Sequence, residues 1–375
     1  MTARSVDGEK SRPLETGFAG LDLIRFAAAM MVAFYHFTYV GLLQLGEPGE
    51  ALAAAFAPAR PLTSSLWVAV QIFFVLSGVV IAFSAQGRSA GEFIRRRAAR
   101  LYPAALICAT LTVIVWPKSD PVLRWLKSIA LWPAGPWVSD VYWTMAVEIA
   151  FYVLVAAALA IGGSRWVSRL GHALVLASAA WWGLRILNLG AGDALRPLLD
   201  QVGIVDPILL FSHGCFFGLG MILFERHAQG PSLRLNLLAA LATMTGLAAI
   251  ISNALSLRSG VDPGIAGLIV PPLLWLLALA GMLVALALGP PTKPGRLPLV
   301  IRQAGLATYP LYLVHAEIGV TMMLVLEPIG PLAALVLATA AILGLVAMIL
   351  VGEKRLRSLI GQATSGPAPG NYRGA

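Results

Sequence analysis

About ten long hydrophobic segments, separated by short polar ones, cover almost the whole of this 375-residue chain. Each is about as long as the 20 residues that a helix needs to cross the hydrocarbon core of a bilayer. Hydrophobic residues make up 58% of the chain and charged residues 12%, and the mean hydropathy is +0.81. A water-soluble domain cannot hide that much apolar surface. The sequence therefore predicts an all-α, multi-pass transmembrane helical bundle, with spans at about 20–42, 66–86, 99–117, 141–162, 171–189, 204–225, 234–253, 263–288, 303–326 and 330–351.

One membrane domain, 20–351, accounts for nearly all of the chain. The preceding segment, 1–19, is polar and lacks the apolar core of a signal peptide, so a cleaved signal is not expected. The last segment, 352–375, ends in a Gly- and Pro-rich stretch whose composition is typical of disorder. We expect both segments to be cytoplasmic tails.

The distribution of positive charge predicts how the bundle is oriented. An even number of spans places both termini on the same side, and most of the 27 Lys and Arg residues then fall on the side of the termini. The positive-inside rule therefore predicts that both termini are cytoplasmic. The net charge of +9 reflects this loop bias and does not indicate a nucleic-acid partner.

Arg25 and His36 lie in the first span, with Asp22 and Tyr35 beside them. At about 100° per residue, the eleven steps between them are three turns plus roughly 20°, so both side chains leave one helix face about 16 Å apart. Such groups are costly in hydrocarbon and usually face a bundle interior or a wet cavity. Imidazole can accept and return a proton near neutral pH. The pair is predicted either to carry chemistry or to join neighbouring helices by hydrogen bonds.

Arg97 and Arg100 stand three residues apart near the predicted cytoplasmic end of the third span, on one helix face. Guanidinium groups suit phosphate oxygens because their donors converge in a plane. The pair fits lipid phosphates, or the phosphates of a soluble ligand whose flexible arm extends towards His36. Coenzyme A has this second shape.

Further polar residues occur inside the fourth and ninth spans. Glu148 is a carboxylate that must be neutral or partnered in the membrane, either in an ion pair or by orienting His36 or an acceptor hydroxyl. Tyr309, Tyr312 and His315 fit the lining of a substrate site, and helix-packing hydrogen bonds explain them equally well.

Tryptophans cluster around the loop between the third and fourth spans. An aromatic belt at the membrane interface accounts for them, and so does a platform on which a sugar-like acceptor stacks. The cluster comprises Trp116, Trp125, Trp132, Trp137 and Trp143.

No metal site is predicted. Cys108 and Cys215 lie inside different spans, and the five histidines are scattered over several segments without metal-ligand spacing.

Together these motifs resemble acyltransferase family 3, the membrane O-acyltransferases that include bacterial polysaccharide- and macrolide-acylating enzymes. The resemblance covers about residues 20–351 and depends on the order and spacing of five motifs. They are LDLIRFAAAMMVAFYH in the first span, FFVLSGVVIA at 73–82, RAARLYP at 97–103, YWTMAVEIAFY at 142–152 and LATYPLYLVH at 306–315.

The resemblance implies roles for individual residues. Arg25 and His36 match the family's essential pair, Arg97 and Arg100 match its donor motif, and Glu148 matches its fourth-span glutamate. The chain departs from the family at MAVEIAFY, where a second acidic residue is common beside the glutamate. The residues predicted to line the substrate site are Asp22, Tyr35, Trp143, Tyr309, Tyr312 and His315.

The resemblance implies an O-acyltransferase, in particular an O-acetyltransferase, in the inner membrane of a bacterium. Acyl-CoA, as acetyl-CoA, would be a cytoplasmic co-substrate and not a bound cofactor, and the acceptor would be a carbohydrate or glycolipid. The alternative is a transporter or flippase without acyl-transfer chemistry. The depths of the site residues predict one continuous tunnel from Arg97 and Arg100 past Arg25 to His36, with Glu148 beside the imidazole.

Overall fold

The computed structural model describes residues 18–190, 192–257, 264–289 and 295–364, and every element in these ranges is helical. The α-helices are α1 (Ala19–Thr38), α2 (Val40–Leu43), α3 (Glu47–Ala55), α4 (Arg60–Thr63), α5 (Ala69–Ala85), α6 (Ala90–Val115), α7 (Pro121–Ile129), α8 (Trp143–Gly162), α9 (Ser164–Gly190), α10 (Arg196–Gly203), α11 (Asp206–Leu209), α12 (Gly214–Gln229), α13 (Leu233–Leu257), α14 (Ala266–Leu288), α15 (Arg296–Val314), α16 (Val320–Val325) and α17 (Pro331–Thr364). Short 3₁₀ turns lie at Ala57–Ala59, Leu66–Val68, Asp140–Tyr142 and Glu327–Ile329, and a π-helical turn lies at His315–Gly319.

Nine helical stretches in the described ranges are long and apolar enough to cross a membrane, which confirms the predicted all-α multi-pass bundle. The predicted span at 303–326 is instead interrupted: α15 ends at Val314, and the π turn separates it from α16. The nine stretches are Ala19–Leu43, Ala57–Ala85, Ala90–Val115, Asp140–Gly162, Ser164–Gly190, Asp206–Gln229, Leu233–Leu257, Ala266–Leu288 and Pro331–Leu356.

Helices α5 and α12 form the tightly packed centre of the bundle. A Cβ atom on Gly78 of α5 would collide with the backbone carbonyl of Phe217, and one on Gly220 of α12 would collide with that of Val75. Small residues let membrane helices approach this closely, so that backbone atoms themselves pack together. The two glycines therefore set the distance between these helices.

Helix α15 packs alongside α1 and brings the first and ninth predicted spans together. Gly305 of α15 lies against the side chain of Asp22, and a Cβ there would approach the carboxylate Oδ1 to 2.6 Å. Near the other end of α1, the His315 ring contacts the His36 ring, with 4.8 Å between their centroids. The two helices therefore run in the same direction, and each contributes polar residues at both levels.

Helix α6 begins earlier than predicted, at Ala90 instead of residue 99. The Ser89 hydroxyl accepts a hydrogen bond from the Glu92 backbone N–H at 3.2 Å, which is half of a capping box. This cap starts the helix in the polar segment, so Arg97 and Arg100 project from a continuous helix.

The segment predicted as a disordered tail from residue 352 is partly helical, because α17 continues to Thr364. Most residues of this extension are Lys, Arg, Leu, Glu, Gln or Ala, which are strong helix formers, so the helix does not end with the apolar sequence. Residues 365–375, and residues 1–17 of the predicted N-terminal tail, lie outside the described residues.

Candidate active site

Helix α1 delivers Arg25 and His36 to two separate cavities. Arg25 lines one, where its Nη1 donates to Asp22 Oδ1 at 3.1 Å, and His36 lines the other. Because α1 ends at Thr38, the His36 Cα lies about 3 Å from the end of the helix and the Arg25 Cα about 16 Å further along it. We name the cavities after these residues.

The arginine cavity has a volume of about 320 Å³. Four arginines and two carboxylates line it, so its charge is positive and suits an anionic ligand. Its polar lining consists of Asp22, Arg25, Ser77, Arg97, Arg100, Thr144, Glu148, Tyr152, Arg302, Thr308, Tyr309 and Tyr312.

Glu148 belongs to the arginine cavity, where two hydroxyl groups hold its carboxylate. Ser77 Oγ donates to Glu148 Oε1 at 3.0 Å, and the Tyr152 hydroxyl donates to the same oxygen. These bonds fix the carboxylate against α5 and leave its other oxygen without a described hydrogen bond.

The histidine cavity is larger, with a volume of about 860 Å³, near the upper end of the range for small-molecule sites. Its lining mixes aromatic rings with groups of both charge signs. Lys118 Nζ lies 3.1 Å from Glu317 Oε1 and 3.9 Å from Asp140 Oδ1. The polar and aromatic lining comprises Tyr35, His36, Gln44, Trp67, Gln71, Trp116, Lys118, Ser139, Asp140, Trp143, Trp182, Arg185, Asp206, Ser212, His213, Phe216, Ser252, Asn253, Ser256, Tyr312, Glu317 and Thr321.

Both cavities contain buried polar atoms that have no hydrogen-bond partner in the described part of the chain. Such atoms are uncommon in folded proteins and are usually satisfied by water or a ligand. Around the histidine cavity they are Gln71 Oε1, Ser139 Oγ, His213 Nδ1 and Glu317 Oε2, and around the arginine cavity Arg97 Nε and the Tyr309 hydroxyl. The two cavities are therefore polar sites with unused hydrogen-bonding capacity.

His36 is held by its own helix and by α15. Its Nδ1 lies 3.0 Å from the Val32 carbonyl oxygen and 3.2 Å from His315 Nε2. His315 is fully buried, and its Nδ1 lies 2.8 Å from the Tyr312 carbonyl oxygen. His315 is not among the residues that line the histidine cavity, and its contacts are those of the helix-packing alternative that the sequence left open.

The predicted contact between Glu148 and His36 is wrong, because the two side chains line different cavities. His36 lies near the end of α1, whereas Glu148 follows the start of α8 by more than one turn. Glu148 is held instead by Ser77 and Tyr152, so a similar depth along two helices did not bring the two side chains together.

The predicted continuous tunnel is replaced by two adjacent cavities that share Val70 and Tyr312 as lining residues. The Thr144 hydroxyl lies 2.9 Å from the Tyr312 hydroxyl, and the Phe73 ring packs edge-on against the Tyr312 ring at 5.7 Å. Val70 and Tyr312 thus form a wall that the arginine cavity and the histidine cavity share.

The remaining predicted site residues distribute over the two cavities. Asp22 and Tyr309 line the arginine cavity, whereas Tyr35 and Trp143 line the histidine cavity.

The tryptophan cluster divides into rings that line the histidine cavity and rings that form hydrogen bonds around α7. Trp116 and Trp143 line the histidine cavity. By contrast, Trp125 donates to Thr110 Oγ1 at 3.0 Å and Trp137 donates to the Trp132 carbonyl at 2.9 Å, so these rings stabilise the loop around α7. Only part of the cluster is placed to contact a ligand.

Sequence reasoning missed several residues of the two cavities. Arg302 lies just before the predicted span at 303–326 and precedes the LATYPLYLVH motif by little more than one turn. Glu317 directly follows that motif in a predicted span, and the rarity of carboxylates in membranes was a usable signal. Gln71, Lys118 and His213 had no distinguishing pattern. No group of three or more His, Cys, Asp or Glu residues within the described ranges is placed to bind a metal ion.

Comparison with known proteins identifies one family. The model of the acyltransferase domain of acyltransferase family 3 matches residues 18–352, which is most of the chain.

One curated relative is similar over a shorter stretch. It is acyltransferase MdmB of Streptomyces mycarofaciens, 32% identical over 102 residues, or 23% of this chain and 26% of the relative. The matched region thus spans about a quarter of that relative's length. No solved structure matches the chain.

Proposed function

The chain belongs to acyltransferase family 3 and is a multi-pass membrane enzyme that transfers acyl groups, and on this premise we propose that it O-acetylates a carbohydrate or glycolipid acceptor with acetyl-CoA as the donor. The proposal rests on the position of His36. This residue lines a large cavity whose lining residues include unpaired polar atoms, and that cavity adjoins a second one lined by four arginines. The family match favours this chemistry over the alternative of a transporter or flippase.

The arginine cavity is the proposed donor side. Coenzyme A carries several phosphate groups, and Arg97, Arg100 and Arg302 supply planar donors for them. The unpaired Nε of Arg97 supports a ligand in this cavity. Arg25 would bind the donor here, since its distance from His36 along α1 is too large for contact with the reacting carbonyl. Glu148 can accept hydrogen bonds from amide groups of the pantetheine arm.

The histidine cavity is the proposed acceptor side. Its volume of about 860 Å³ accommodates sugar-sized molecules, and Trp143 and Trp182 offer faces on which a sugar ring can stack. Carbohydrate hydroxyls both donate and accept hydrogen bonds, which matches the unpaired atoms of Gln71, His213 and Glu317.

In the proposed reaction, His36 Nε2 takes the proton of an acceptor hydroxyl while the hydroxyl oxygen attacks the thioester carbonyl carbon. The tetrahedral intermediate expels the coenzyme A thiolate, which receives the proton from the imidazolium. An ester forms on the acceptor, a thioester bond breaks, and the imidazole returns to its neutral form. The pantetheine arm must pass Val70 and Tyr312 to bring the thioester to His36.

We assign the enzyme to a bacterial inner membrane with both termini in the cytoplasm, where acetyl-CoA is made. This orientation places the arginine cavity towards the cytoplasm, because it lies at the N-terminal end of α1. The histidine cavity then faces the other side, from which an exported glycan approaches.

The test uses sealed membrane vesicles of known orientation and radiolabelled acetyl-CoA, with transfer to glycan measured by mass spectrometry. Transfer should require acetyl-CoA on the cytoplasmic face and fall by about 10²–10⁴-fold in His36→Ala, the typical contribution of a general base. His227→Ala is the matched control, because His227 is exposed and packs against Phe18, away from both cavities. Near-normal transfer by a well-folded His36→Ala protein would remove His36 from the mechanism.

A further inference from the structure

His315 and His36 form a hydrogen-bonded pair of imidazoles at the edge of the histidine cavity. Their nitrogens, His315 Nε2 and His36 Nδ1, are 3.2 Å apart, and the rings meet at an interplanar angle of 76°. The two residues are separated by 279 positions in the sequence, so only the packing of α15 against α1 brings them together.

The contacts of the pair permit one assignment of protons. A carbonyl oxygen only accepts hydrogen bonds, so Nδ1 of His315 must carry a proton for the Tyr312 carbonyl at 2.8 Å. A neutral His315 then has a bare Nε2, which can only accept. His36 must therefore donate from Nδ1, and the same proton also faces the Val32 carbonyl.

This assignment leaves Nε2 of His36 without a proton. Within the described part of the chain this nitrogen makes no hydrogen bond, and its side chain lines the histidine cavity. An unprotonated imidazole nitrogen facing a ligand cavity is the form that a general base requires.

His315 is itself held in place firmly enough to orient a neighbour. Its exposed fraction is 0%, its ring packs against the Tyr312 ring at 5.5 Å, and it begins the π-helical turn that interrupts the ninth predicted span. Single π turns inside helices occur often at functional sites, because they redirect side chains locally.

We propose that His315 is a positioning residue that holds His36 in its Nδ1–H form and directs Nε2 at the acceptor hydroxyl, a role that rests on the proposed function. During transfer, Nε2 of His36 takes the hydroxyl proton and later returns it to the thiolate. The Nδ1 proton stays on His36 throughout, and the bare nitrogen of His315 stabilises the transient imidazolium by accepting a hydrogen bond from it. No proton is passed to His315.

Two amide variants separate this role from simple packing. His315→Gln places an amide oxygen near the position of Nε2, so it can still accept from His36. His315→Asn keeps an amide donor for the Tyr312 carbonyl but ends short of His36. If His315 positions His36, His315→Asn should lower kcat by about 10–100-fold, the usual cost of losing a supporting hydrogen-bond partner, with little change in acceptor KM. Gln should restore most of the loss.

A spectroscopic measurement on the unmodified protein tests the pair directly, and a variant is needed only to assign the signals. In protein labelled with ¹⁵N-histidine, the His36 signals are those missing from His36→Ala. We expect a protonated Nδ1 on His36, a bare Nε2 on His315 and a coupling between these nitrogens across the hydrogen bond. A protonated Nε2 on His36, or no coupling, overturns the proposal.

The kinetic outcomes also separate this inference from the proposed function. If His36→Ala is inactive while His315→Asn and His315→Gln both keep kcat within about twofold of the unmodified enzyme, His315 has no positioning role and the proposed function stands. If His36→Ala remains active, the proposed function itself fails. Equal losses in Asn and Gln would assign His315 to packing alone.

Discussion

The two cavities are adjacent but differ in volume, in charge and in the residues that line them. The arginine cavity is the smaller, at about 320 Å³, and is lined by four arginines; the histidine cavity, at about 860 Å³, mixes tryptophans with both charge signs. A lining with a net positive charge suits an anion, whereas a lining of tryptophans and charges of both signs suits a neutral molecule with many hydroxyls. Under the proposed function, the donor and the acceptor would therefore be recognised by different interactions on either side of Val70 and Tyr312.

Replacing Arg97 and Arg100 together by Gln should produce the largest difference between the effect on donor binding and the effect on acceptor binding. We expect affinity for coenzyme A to fall by about 10–100-fold. Each charge-assisted hydrogen bond to phosphate contributes about 1.5–3 kcal/mol, and the amide groups of the two Gln residues would keep part of this energy. Acceptor KM should stay unchanged. Calorimetric titration of the purified protein at several salt concentrations would measure the affinity, whose salt dependence should also weaken.

The matched control for that variant is Arg95→Gln with Arg96→Gln on the same helix. Both side chains are exposed, and neither lines the arginine cavity. They remove the same charge from the same end of α6, so a general loss of lipid anchoring would affect both variants equally. Equal losses of coenzyme A affinity would contradict the donor-site assignment.

The wall between the cavities can be tested by enlarging Val70. Val70→Trp should leave coenzyme A affinity within about twofold and reduce the rate of transfer by about tenfold or more, because the indole would narrow the passage that the pantetheine arm needs. Val153→Trp, on an exposed position of α8, controls for the added bulk. Steady-state kinetics with titration of coenzyme A would separate the two effects, and unimpaired transfer would show that the arm takes another route.

The smallest effect should come from the acceptor side. Gln71→Leu removes the unpaired Oε1 from the histidine cavity, and we expect acceptor KM to rise by about 3–10-fold, equivalent to one neutral hydrogen bond. Donor affinity should not change. The kinetics of transfer to a soluble glycan fragment would measure this, and a change confined to donor affinity would reverse the assignment of the cavities.

The pairing of Arg25 with His36 illustrates how far sequence reasoning reached. Their spacing in the sequence predicted that both side chains leave the same helix face about 16 Å apart, and α1 is continuous between them. The spacing could not reveal that this distance places them in different cavities, because cavity walls come from other helices. Glu148 was assigned to the wrong neighbour for the same reason. The cavity that its side chain enters depends on the helices packed around α8 and not on its neighbours in the sequence.

What the sequence determined by itself is the membrane bundle, its family and five of the six charged residues that line the arginine cavity. These follow from local rules: apolar length, helical period and the cost of placing a charge in hydrocarbon. Tertiary structure alone decided the two cavities, the wall at Val70 and Tyr312 and the contact between His36 and His315. Those features depend on the register of α15 against α1, which close packing at residues such as Gly305 sets and which no local pattern encodes.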